Sequence, residues 1–288
     1  MIQQFSDYNQ IPMLIVGNYT HDVLIIDHQE VFYGLGGGVA YASAVVSGLQ
    51  QEYKVISKVG KDFLYLAECQ QLPQILNNKK TTCFINYTSQ MPRQQIVKEI
   101  CEPIYSEDIK DKAYITLVSG VIGEILPETI YILRKKSTIL IGDIQGFIRQ
   151  IDNSYKVYSS PIIDTKYYEI IHLFDYLKIS EEELLFVDIE KLRKKTMLLV
   201  TYADRGCEFY NQDTCYYVPA YPIVPTDNTG AGDSFLAGFA IGLYNNLSLI
   251  DAICLGHHCG RITVQSIGIP KINTFLQCTY RLKNIGRL

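Results

Sequence analysis

The sequence predicts an α/β fold: a doubly wound, mostly parallel sheet with a small β lid. Three observations lead there. Short apolar runs that end in polar residues or glycine recur along the chain, helical segments separate them, and two extended regions fit the alternation poorly. Alternating strands and helices argue for a parallel sheet covered on both faces. The two misfits argue for a separate β layer, with lid strands expected from 22–34 and 81–112.

In order, "MLIVGN" (13–18) has the length of a buried strand. "DVLIIDHQEVFYG" (22–34) reads as two extended pieces around a turn at His28 and Gln29. "GGGVAYASAVVSGLQQ" (36–51) is a helix behind a glycine-rich entry, and "YKVISKVG" (53–60) is a strand. A short helical piece is expected near 61–77, and 81–100 is β-branched and extended, with a turn near Pro92. "YITLVSG" (114–120), "STILIGDIQ" (137–145), "FDYLKIS" (174–180) and "TMLLVTYADRG" (196–206) read as strands. "GEILPETIYILRKK" (123–136) and "SEEELLFVDIEKLRKK" (180–195) read as helices, the second with Ser180 as N-cap and acids in its first turn. Ligands of such sheets sit outside the carboxyl ends of the strands. The polar residues closing these runs, Asn18, Asp143 and Asp204 among them, are therefore candidate site residues. No repeat or linker divides the chain, so 1–288 is read as a single domain.

With 48% hydrophobic residues the chain has ample material for a core. A formal net charge of −4 without a basic block argues against nucleic acid as a partner. No apolar run reaches the roughly 20 residues that span a bilayer, and the first ten residues lack a secretory pattern. The expectation is a cytoplasmic protein with no membrane partner. Eight scattered cysteines without CxxC pairs suit buried thiols in a reducing compartment. One cluster, Cys254, His257, His258 and Cys259 in "CLGHHC", has a pair at helical i, i+4 spacing that zinc can use, against the simpler reading of helix packing.

The most informative stretch is "TDNTGAGDSFLAGFAIGLYNN" (226–246). A tight turn of Gly230, Ala231 and Gly232 at a helix start directs free N–H groups outward at the positive end of the dipole, and glycines let a phosphate approach closely. Asp233 in that first turn is either a helix cap or an acid that takes a proton from a hydroxyl attacking a phosphorus held by those amides.

The run from Asp227 through Thr229, Gly230, Ala231, Gly232, Asp233, Ser234 and Phe235 to Gly238 resembles the C-terminal signature of the PfkB, or ribokinase-like, family of small-molecule kinases. Within the family, "VGNYTHDVLI", "SKVGKDFLY", "GEILPETI", "GDIQGFIR" and "GRITVQSIG" are similar in order and spacing to segments of plant-type myo-inositol kinases. The resemblance implies the fold above and transfer of the ATP γ-phosphate, with Mg²⁺, to a hydroxyl of a cyclic polyol or sugar, foremost myo-inositol. It implies Asp233 as base, helped by Gly230, Ala231 and Gly232, and substrate contacts from Asp22, Gly36, Gly37, Asn18 and Arg149. Thr201, Asp204, Gly206, Asp227 and Ser180 are implied at the nucleotide. Glu183 is implied at magnesium through water, although Ser180 stands where the family has asparagine. A monovalent cation and a monomer or homodimer stay open. The segment 60–112 looks short for the subgroup, which implies a reduced lid.

Bland alternatives stand beside several of these residues: a hairpin-edge acid for Asp22, a solvated arginine for Arg149, and a solvated strand-end lysine for Lys58. Rival functions are a kinase for ribose, fructose or adenosine, a non-catalytic polyol or nucleotide sensor, and a nicotinamide oxidoreductase. The last lacks a GxGxxG after the first strand.

Overall fold

The computed structural model describes residues 10–87 and 94–272. In chain order the first half contains β1 (Gln10–Val16), β2 (Thr20–Ile26), β3 (Gln29–Gly36), α1 (Gly38–Gly48), β4 (Tyr53–Ile56), β5 (Lys58–Gly60), β6 (Gln74–Leu76), β7 (Cys83–Tyr87), β8 (Gln94–Glu99), β9 (Lys112–Val118), α2 (Pro127–Lys136) and β10 (Ser137–Asp143). The second contains α3 (Gln145–Ile148), β11 (Arg149–Ile151), β12 (Val157–Ser159), β13 (Tyr176–Ser180), α4 (Ile189–Leu192), β14 (Met197–Thr201), β15 (Gly206–Tyr210), β16 (Cys215–Pro219), α5 (Ala231–Tyr244) and α6 (Leu249–Thr263).

Eight strands form the central sheet in the order β16-β15-β14-β13-β10-β9-β1-β4. It is parallel from β4 across to β14, and β15 and β16 continue it antiparallel. The apolar runs are continuous because both faces are covered: along β1, Met13 and Ile15 enter one core and Leu14 and Val16 the other. Helices α1, α5 and α6 line the first core, which contains Val39, Phe239 and Ile253. Helix α2 and the segment around Tyr167–Phe174 line the second.

Small residues set the spacing of α5 and α6. A Cβ on Gly238 would press on Cys259 Sγ, and one on Gly256 on the Phe235 ring. Thr263 Oγ donates to Ser234 Oγ at 2.8 Å across the same interface. The "CLGHHC" segment lies in this packing. Burial lowers the His257 imidazole pKa to about 4, its ring lies 5.2 Å from that of Phe235, and among the described residues no three potential ligands are grouped to hold a metal.

A second sheet, ordered β3-β2-β7-β8, lies beside the large one, with β2–β7 parallel and the other pairs antiparallel. The β2–β3 turn falls at Asp27 and His28, both left-handed (φ 47° and 65°), one residue before the position expected.

Four expectations need correction. The extended region assigned to the lid through residue 112 stops contributing to it after Glu99, because Lys112–Val118 pairs with β1 and β10 in the large sheet. "YKVISKVG" divides at Ser57, its first part joining the large sheet and its second pairing with β6. Residues 61–77 hold turns and β6 but no helix. The helix expected over 180–195 is a 3-10 turn, Glu181–Phe186, followed by the four-residue α4. The turn near Pro92 and Cys278 lie outside the described residues. Among the described residues, no helix is long and apolar enough to cross a membrane.

Candidate active site

Two helix starts meet at Asp233. Gly230 caps α5 in a left-handed conformation (φ 75°), and a Cβ there would collide with the Tyr41 ring. On the other side Gly38, the first residue of α1, approaches so closely that a Cβ would strike Asp233 Oδ1, with Ser119 Oγ 3.3 Å from the same point. Sequence reasoning chose the first two glycines of "LGGGV" and missed this third one. The turn at Gly230 also directs the Ala231 N–H back to the Asn228 carbonyl at 3.3 Å. That amide, counted from sequence among those free for an anion, is therefore engaged within the loop.

The β10 and β13 ends supply a buried ion pair. Lys178 Nζ lies 2.9 Å from Asp143 Oδ2, with both side chains almost entirely enclosed. The two residues are register partners on adjacent strands. A lysine inside "YLKIS" is readable as an anomaly, since a strand buried on both faces tolerates a charge only with a partner. Lys178 Nζ would be 2.7 Å from a Cβ on Gly232, which places its charge against the start of α5. Burial pulls the Lys178 pKa down, but Asp143 first, then Glu183 and Asp233, raise it on balance. Asp143 also accepts the Gln145 N–H at 3.1 Å.

Burial, then Asp143 and Glu183, push the Asp233 carboxyl up to about 7, while Lys178 and Arg149 oppose the rise. Asp233, Asp143, Lys178, Arg149 and Glu183 thus form one electrostatic group at the carboxyl ends of the strands. A carboxylate held near neutrality beside a helix start is suited to accept a proton.

The second sheet carries two further candidate residues, Asp22 and Gly36. Asp22 on β2 accepts the Thr20 hydroxyl at 2.7 Å, and a Cβ on Gly36 would run into its carboxyl. Gly37 takes φ 89°, with the Asn18 carbonyl against it. The Asn18 side chain is held by the scaffold: Oδ1 accepts Lys58 N–H at 2.8 Å and Nδ2 donates to the Glu102 carbonyl at 3.1 Å. Lys58 is not solvated at all. It is buried, 2.6 Å from Asp108 and 4.4 Å from the Tyr105 ring centre.

Buried Glu124, in "GEILPETI", was also missed; it accepts Val121 and Ile122 N–H groups at 2.9 Å and so shapes the loop after β9. Asp227, assigned from sequence to the nucleotide, accepts Thr229 N–H and Oγ–H at 3.0 and 2.8 Å. It lines a cavity of about 10 Å³ together with Asp22, Phe32, Tyr41, Asn86 and Gly268. The Phe32 ring lines that cavity and lies 3.0 Å from where a Gly268 Cβ would be.

Ser180 and Thr201 are neighbours in register at the ends of β13 and β14. Ser180 N–H donates to Glu183 Oε2 at 2.6 Å. Gly206 takes φ 135° against the Val218 carbonyl, and exposed Asp204 lies in the β14–β15 turn. Arg205 and Glu181 form an ion pair that ties this turn to the 3-10 segment.

A model of the pfkB family of carbohydrate kinases matches residues 143–272, which include Asp143, Lys178, Glu183 and Asp233. An inositol 3-kinase of Arabidopsis thaliana is 36% identical over 275 residues, covering 92% of this chain and 77% of that one. The inositol 3-kinase of Zea mays is 35% identical, covering 89% and 73%. A solved pyrophosphate-dependent kinase in the ribokinase family, complexed with a pyrophosphate analog and myo-inositol, superposes with a TM-score of 0.79 over 93% of this chain and 99% of its own, at 19% identity. That likeness establishes the ribokinase-like fold. The curated relatives extend the sequence match over nearly the whole chain, and it belongs to the pfkB family of carbohydrate kinases, phosphotransferases with an alcohol group as acceptor.

Proposed function

We propose that the chain transfers the γ-phosphate of ATP to a hydroxyl of myo-inositol, the whole chain acting as one catalytic unit and the β3-β2-β7-β8 sheet as its lid. The single observation that carries the reading is Asp233, raised to about 7, between the starts of α1 and α5 and beside the Lys178–Asp143 pair. The names of the plant relatives support inositol and favour its 3-hydroxyl.

Asp22 accepts hydrogen bonds from acceptor hydroxyls, while the bare backbone of Gly36 and Gly37 lets the ring lie close. Asp233 takes the proton of the hydroxyl as its oxygen bonds to the γ-phosphorus. The bond from that phosphorus to the ADP oxygen breaks, and ADP leaves with the electron pair. The amides of Gly232 and Asp233, with Lys178 and Arg149, stabilise the charge on the transferred group. Thr201, Asp204, Gly206 and Ser180 border the donor.

The acidic residues fit magnesium held through water. Both Asp143 oxygens and one Glu183 oxygen are already engaged, and no direct three-ligand cluster exists among the described residues. This suits an ion that keeps several waters and takes direct ligands from phosphates. Glu183 and Asp143 would hold it, and it would neutralise charge on the phosphates.

The test is an acceptor panel of myo-inositol, ribose, fructose and adenosine against ATP and pyrophosphate, with K⁺ added and withheld and the product's phosphate position read by NMR. Inositol with ATP is expected to rank first and give the 3-phosphate. Another acceptor well ahead of inositol would overturn the substrate assignment and leave the family intact.

A further inference from the structure

Arg149 opens a hairpin outside the large sheet, and its charge acts on Asp233. The hairpin pairs β11 with β12 through Arg149↔Ser159, Gln150↔Tyr158 and Ile151↔Val157. The tip of this hairpin is bound to the lid. The Tyr155 carbonyl accepts Val97 N–H of β8 at 2.9 Å, and Ile96 and Lys156 form an antiparallel bridge. Beneath that contact, Ile151 and Val157 pack with lid residues Phe84 and Val97 and with Val121 and Ile122 after β9. Phe84 is the register partner of Asp22.

One exposed carboxylate shapes the tip. Asp152 Oδ1 accepts Ser154 N–H at 2.8 Å, Ser154 Oγ–H at 2.6 Å and Lys156 N–H at 3.0 Å. The Asp152 carbonyl takes Tyr155 N–H at 3.0 Å. These bonds hold Tyr155 at φ 63°, a left-handed geometry that a tyrosine adopts only when its surroundings impose it.

We propose that the 149–159 hairpin is a strap coupling the lid to Arg149, and that Asp152 is the positioning residue that keeps its tip on β8. A lid drawn down on the acceptor through Asp22 moves β8 with it, and the strap carries that placement to the arginine. The inference rests on the kinase reading above.

The test uses the full-length chain as Asp152→Ala, Asp152→Asn, Arg149→Ala and the Asp152→Ala/Arg149→Ala double variant. Asp152→Ala is expected to lower kcat by about tenfold to a hundredfold, with a smaller effect on acceptor KM. Asp152→Asn, which keeps the accepting oxygen, restores most of the loss. The double variant falls no further than Arg149→Ala, because both changes act through one residue. Hydrogen exchange at the Val97 amide, which needs no turnover, speeds up in Asp152→Ala alone among the two Asp152 variants. Wild-type kcat in Asp152→Ala, losses that multiply in the double variant, or unchanged Val97 exchange would each overturn the strap. A wild-type chain that phosphorylates no acceptor would remove the kinase reading instead, and Val97 exchange would still judge the strap.

Discussion

Replacing Asp233 by asparagine tests the base alone: Gly230 caps α5 with no side-chain bond from Asp233, and the amide isostere keeps the shape of the first turn while removing the charge. Holding this acid near 7 instead of 3.8 corresponds to about 4 kcal/mol against the ionised folded state. The carboxylate is only partly enclosed, so solvent and salt reduce this to about 2 kcal/mol. The sign follows from the direction. An acid whose folded pKa lies above its unfolded value is not penalised below pH about 4, and stability is lost progressively as pH rises to about 7. Asp233→Asn is therefore expected to melt like the wild type at pH 4 and about 4–8 °C higher at pH 8. Turnover with inositol and ATP is expected to fall by about 10³-fold or more, since the proton then lacks its acceptor. Melting curves from pH 4 to 8, beside steady-state kinetics and nucleotide binding, make the comparison. Near-wild-type turnover would refute the base; a melting difference that stays constant with pH would refute the electrostatic account of its shift.

In the wild type, kcat/KM should fall as pH drops below about 7, tracking protonation of the same carboxyl. Gly38→Ala places a methyl group against Asp233, and turnover is expected to drop about 100-fold while stability changes by only about 1–2 kcal/mol; kinetics and thermal melts separate the two. Lys178→Met leaves Asp143 as an unpaired buried charge and is expected to cost about 3–5 kcal/mol. Adding Asp143→Asn should recover most of that stability in denaturant titrations without recovering activity.

The alternation that predicts the large sheet was legible because its strands are buried on both faces, so apolar runs mark them directly. β15 and β16 passed unread. "GCEFY" and "CYYVP" lie at the sheet's open side, where Tyr216 and Tyr217 face solvent and the apolar signal is broken. The helix expected at 61–77 failed because Asp62 is engaged with Thr81, through bonds of 2.9 and 3.1 Å to a residue far along the chain.

At the site, the Gly-Ala-Gly-Asp turn was legible because its chemistry is local. Gly38 was not, because what identifies it is a neighbour far along the chain; Lys178 went unread although its charge inside an apolar run was a signal, and its partner Asp143 lies on another strand. The same holds for Asn18 and Lys58, whose polar atoms turn out to fasten loops together.

The seat of Phe32 on Gly268 ties two distant parts of the chain together. Gly268 takes φ 81°, and a Cβ there would press on the Phe32 ring at 3.0 Å, so a substitution at 268 meets strain from its own backbone and from the ring at once. The loop after α6 and strand β3 therefore constrain each other's sequence, although more than 200 residues separate them.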